Sequence, residues 1–140
     1  MSSFTKPLTV TKLSSGMWEV ERGFKYYVGE ENSDEYVRVP RGFPTDFASV
    51  PRAFWVVLPP DGQYSQAAVL HDYLYSCHGV LPKKTYTRKR CDELFLEAMA
   101  VLEVPTWKRL IMYRAVRMFA WLGWKKHAQR IALTSEKEKV

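Results

Sequence analysis

A 140-residue chain with 46% hydrophobic and 26% charged residues has the balance of a single globular domain, long enough to bury a core without disulfide or metal staples. It has no run of 18 apolar residues, and the opening MSSFTKPLTV lacks the basic-then-apolar plan of a secretory signal, so neither a membrane helix nor export is expected, and a cytosolic setting is. The net charge of +6 is uneven: residues 1–104 carry twelve Lys/Arg against thirteen Asp/Glu, residues 105–140 nine against two, which points either to an anionic partner for the C-terminal part or to a solvated basic helix face.

In chain order, the segments LTVTKL, MWEVERGFKYYVG and EYVRVP are rich in β-branched and aromatic residues and are separated by Ser-Ser-Gly and Gly-Glu-Glu-Asn-Ser-Asp turns. They predict a small antiparallel sheet within residues 1–40. Residues 41–63 hold four prolines and read as a long loop of the kind that carries function. From residue 64 the pattern turns helical. One helix is predicted from Ser65 to about Cys77, stopped by Gly79, a second from about Thr87 to Leu102, and a third from Pro105 to about Leu122. The fold class is α+β, a small N-terminal sheet followed by a long loop and three to four packed helices, in one domain over residues 1–134 with a frayed charged tail at 135–140. Cys77 and Cys91 form neither a CxxC motif nor a metal-ligand spacing and are read as reduced thiols.

Two polar residues sit on apolar helical stripes. His71 has Ala67, Ala68, Leu74 and Tyr75 at the i±3 and i±4 positions, and Asp92 is followed at i+3, i+4 and i+7 by Phe95, Leu96 and Met99. Burying either alone is costly, and they satisfy each other if the two helices pack antiparallel. Asp92 would then accept from one ring nitrogen of His71, with Tyr75 donating to the same carboxylate and the second ring nitrogen left to take a proton from water. Asp72 points about 100° away from His71 around the helix, where it could hold a cation. The same pair also reads as a buried lock between two helices with no chemistry at all.

HDYLY followed by RKRCDELFLEAM resembles the helix pair of bacterial-type phospholipase A2, with His71, Asp72 and Tyr75 on one helix and Asp92 on the next. That resemblance implies His71 as base, Asp92 as its orienting partner and Asp72 as a calcium ligand. A broader resemblance rests on three motifs, GFPTDFASVPRAFW, AAVLHDYLY and RKRCDELFLEAM, which together look like the phage and prophage family designated domain of unknown function 1353. It implies a viral origin and adds Asp46 as a third element of the site. Asp46 would complete a divalent-metal shell with Asp72, calcium first, or a mixed zinc or manganese set with His71 and Asp92. Alternatively Asp46 is a turn-capping residue within PTDF.

The third helix interleaves Trp107, Trp121 and Trp124 with Lys108, Arg109, Arg114, Arg117, Lys125 and Lys126. Rings beside basic groups suit a membrane or cell-envelope surface, or else a core helix whose basic residues snorkel; no nucleic-acid motif accompanies them. The expected function is therefore a metal-assisted hydrolase of phage origin acting on a phospholipid-like ester or a cell-envelope bond. The alternative is a non-catalytic structural or accessory phage protein of the tail or baseplate, working beside other phage proteins.

Overall fold

A computed structural model describes residues 2–12, 18–45, 65–82, 84–122, 124 and 125. Within them the order is β1 (Ser3–Phe4), β2 (Val10–Lys12), β3 (Trp18–Val20), β4 (Phe24–Tyr27), β5 (Tyr36–Val39), β6 (Pro44–Thr45), α1 (Ser65–Ser76), α2 (Arg88–Val101) and α3 (Thr106–Phe119). The expected α+β class is what the chain adopts, with strands first and helices after.

The strands form two three-stranded antiparallel sheets, ordered β1-β4-β5 and β2-β3-β6, where one had been expected. The difference arises inside MWEVERGFKYYVG. The chain bends after Val20, and β3 and β4 go to different sheets. Gly23 at that bend lies so close to the backbone of Val39 that a Cβ there would sit 3.1 Å from its carbonyl oxygen. The β4 and β5 residues alternate as their sequence predicts: Phe24, Tyr26, Val37 and Val39 are buried, and Lys25 and Arg38 turn outward. β6 lies within the span read as loop. Its Pro44 occupies an edge strand, where a missing N–H costs no ladder bond.

α1 is apolar nearly all round, and residues 67–71, Leu74 and Tyr75 are buried. It is the central helix, touching β5 and β6 as well as α2. After it the backbone turns left-handed at His78 and Gly79 (φ 54° and 73°), and the Gly79 N–H caps the Leu74 carbonyl at 2.8 Å. Only glycine fits at position 79, because a Cβ would lie 2.1 Å from the carbonyl oxygen of Tyr86. α2 starts on an N-cap, the Thr87 hydroxyl accepting from the Arg90 N–H at 3.1 Å, and buries Cys91, Leu94, Phe95, Ala98 and Met99. α3 begins just after Pro105 and turns Met112, Ala115 and Val116 inward; residues 121, 122, 124 and 125 are helical as well.

Candidate functional site

α1 and α2 bring His71, Tyr75 and Asp92 together. His71 meets both Asp92 and Phe95, while Tyr75, one turn further along α1, meets Asp92, which is the order of an antiparallel helix pair. His71 Nε2 is 2.6 Å from Asp92 Oδ1, and the Tyr75 hydroxyl donates to the same oxygen at 2.7 Å. The imidazole is held between two rings, with centroids 4.3 Å away at Tyr75 and 4.8 Å at Phe95.

A third helix completes the cluster. Arg117 of α3 donates through Nη1 to Asp92 Oδ2 at 2.7 Å, and Arg88, one turn before Asp92 on α2, stands 3.7 Å from the same oxygen. Asp92 therefore ties α1 through one oxygen and α3 through the other. Burial pulls its pKa upward, yet the bond from His71, the attraction of that ring, and the donors Tyr75 and Arg117 outweigh it, so the carboxyl is held below its ordinary value of 3.8. A carboxylate only accepts, so the hydrogen in the short contact with His71 belongs to Nε2. Nδ1 is the ring's other nitrogen, and a lone pair there requires the neutral imidazole.

Both side chains are wholly buried, at 0% exposure. Nδ1 is buried and has no hydrogen-bond partner among the described residues. The dyad thus has the geometry of a base and its orienting acid, with the basic atom sealed in the core. The thiol of Cys91 is equally removed from chemistry: burial, then the charge of Asp92, pushes it up to about 12.

Asp72 belongs to a different junction. It is half-buried and accepts from the Thr45 hydroxyl of β6 at 2.6 Å, joining α1 to the second sheet. Asp46 follows Thr45 in sequence but lies outside the described residues. Among the described residues no group of three or more His, Cys, Asp or Glu side chains converges where an ion could sit. A cleft of about 680 Å³ opens between β5 and the α1–α2 connection, lined by Tyr36, Arg38, Tyr73, Lys84 and Tyr86 among others; none of His71, Asp72, Tyr75 or Asp92 lines it.

Residues 6–116 match the family described as Protein of unknown function (DUF1353). The chain belongs to that family. The DUF1353 match takes in the Thr45–Asp72 contact and the meeting of α1 with α2, and it ends one residue short of Arg117. The chain is also 35% identical, over 83 residues, to the uncharacterized protein y4jT of Sinorhizobium fredii; the aligned part is 58% of this chain and 23% of that protein, so the chain spans about a quarter of its relative's length. No solved structure matches.

Sequence reasoning missed three members of the site. Arg117 flanks the inward face of α3, and only knowledge of how α3 lies on α2 would single it out from five neighbouring cations. Glu97 accepts from the hydroxyls of Ser2 and of the buried Tyr26, the latter at 2.7 Å, and so pins the first sheet to α2. Thr45 carried no signal beyond its place in PTDF. His78 is half-buried and stacks on Trp124 with centroids 3.8 Å apart.

Proposed function

We propose that this chain is a non-catalytic structural or accessory protein of phage or prophage origin, in which His71 and Asp92 lock a helical core together. The observation that carries this reading is the Asp92 carboxylate: at zero exposure it holds donors from α1 and α3 at 2.6 to 2.7 Å. Both carboxylate oxygens are bonded from within the fold, as a structural ion cluster requires. The viral origin rests on the three sequence motifs. The alignment to part of a longer relative accords with a module that also occurs within a longer chain.

A hydrolase is the second reading, favoured by one specific feature. His71 Nδ1 is a buried ring nitrogen with no hydrogen-bond partner among the described residues, an arrangement that calls for an explanation in any folded protein. In that reading His71 activates water once the core opens, Asp92 and Tyr75 orient it, and Asp72 with Asp46 holds the divalent cation, for a phospholipid-like ester or cell-envelope bond.

His71→Asn separates the two. Removing the buried ring costs about 2–3 kcal/mol by analogy with other large-to-small core changes, or roughly 8 °C in melting temperature for a domain of this size. The structural reading expects that drop, and no turnover by wild type or variant of phosphatidylglycerol micelles or purified peptidoglycan, with calcium or zinc added. Wild-type turnover lost in His71→Asn at an unchanged melting temperature overturns it in favour of the hydrolase.

A further inference from the structure

α3 has two apolar faces, and the fold uses one. Met112, Val116 and Ala120 point into the core. On the opposite side Trp107, Leu110, Ile111, Met118, Trp121 and Leu122 are each between 40 and 64% exposed. Their spacing of three, four and seven residues places them in one stripe, broken only by the exposed Arg114. Isolated exposed apolar residues need no explanation, but a stripe of six large ones marks a surface that something covers.

The charges around the stripe restrict what covers it. Residues 105–125 contain no Asp or Glu and five cations, Lys108, Arg109, Arg114, Arg117 and Lys125. Arg117 is already paired with Asp92. Tryptophans stand near both ends of the stripe, Trp107 in the first turn of α3 and Trp121 just past its end. Each has a lysine ammonium over its ring, Lys108 at 5.4 Å from Trp107 and Lys125 at 5.9 Å from Trp121. Trp124, which the sequence groups with them, turns inward instead and packs its ring against Tyr75 and His78.

We propose that the outer face of α3 is a docking surface for an anionic lipid bilayer, with the helix lying in the plane of the interface. The apolar side chains enter the acyl boundary, the tryptophans sit at headgroup depth, and Lys108, Arg114 and Lys125 meet lipid phosphates. The geometry favours lipid over a second copy or a protein. Two copies of this face would oppose cations to cations, because neither brings an acid. A protein partner would need a groove matched to a convex ridge, whereas a bilayer deforms around one. No helix among the described residues is long and apolar enough to cross the membrane, so the association is peripheral. The inference is independent of whether His71 is catalytic.

The test is flotation of the full-length protein with vesicles of phosphatidylcholine alone or with about a third phosphatidylglycerol, at low and high salt. Binding is expected to the anionic vesicles and to fall at least about tenfold at high salt, because the electrostatic part is screened. The variant Ile111→Glu/Met118→Glu is expected to lose binding about a hundredfold with an unchanged melting temperature, both side chains being exposed, while Val80→Glu, a comparably exposed apolar site outside α3 and its stripe, binds like wild type. No binding to either vesicle overturns the proposal, as does equal binding to both or an equal loss in Val80→Glu. Self-association without lipid that Ile111→Glu/Met118→Glu abolishes overturns it too, and assigns the stripe to a second copy.

Discussion

Replacing Asp92 by asparagine keeps the shape of the side chain and removes its charge, which isolates the electrostatic part of the helix lock. Three short bonds converge on the carboxylate, from His71, Tyr75 and Arg117. A bond to a charged group contributes about 1.5–3 kcal/mol against about 1 for a neutral one, so the loss is about 1 kcal/mol per bond and about 3 kcal/mol in all. The amide must keep its oxygen toward His71 and Tyr75, which turns its NH2 against the Arg117 guanidinium; Arg117, 29% exposed, swings into water and limits further damage. The expected fall in melting temperature is about 10 °C at neutral pH for a domain of this size. The sign of the pH dependence follows from the carboxyl being more acidic folded than unfolded. Between the two values the unfolded chain binds the extra proton, so the contribution is complete above the ordinary value of 3.8 and is lost as pH falls through the lower folded value. Calorimetric scans of both proteins from neutral pH to about pH 2 should show the gap in melting temperature closing on acidification. A gap below about 2 °C at neutral pH, or one that widens in acid, would refute the assignment of Asp92 as a charged keystone.

Other outcomes follow from the same structure. Gly79→Ala places a methyl group 2.1 Å from the Tyr86 carbonyl at a left-handed backbone position, and is expected to cost more than about 3 kcal/mol in chemical denaturation, with the near-ultraviolet spectrum of the core weakened. Tyr26→Phe removes a buried hydroxyl donated to Glu97, and should cost about 1 kcal/mol while accelerating amide exchange at the junction of β4 with α2.

The helices were the most legible part of the chain, for a physical reason. Each carries a long run of core positions, Ala67 to Tyr75 in α1 and Cys91 to Met99 in α2, between strong punctuation at Gly79, Thr87 and Pro105. The contact of His71 with Asp92 was legible because each residue was out of place on its own stripe and only a partner could pay the desolvation. The two-sheet arrangement was not, because short strands such as Ser3–Phe4 and Pro44–Thr45 have no periodicity to detect; their pairing is decided by distant residues. Arg117 was hidden for the opposite reason. Basic residues surround it, and what distinguishes it is the helix it lies against, a property of tertiary packing.

The two oxygens of Asp92 answer to different helices, α1 on one side and α3 on the other. A pull on α3 that lengthens the contact with Arg117 takes a positive charge away from that carboxylate and raises its affinity for a proton, which alters in turn how firmly it holds the imidazole. α3 and the fully enclosed His71 are thus joined through a single acid, so strain applied at the surface is felt at the centre as a change in electrostatics.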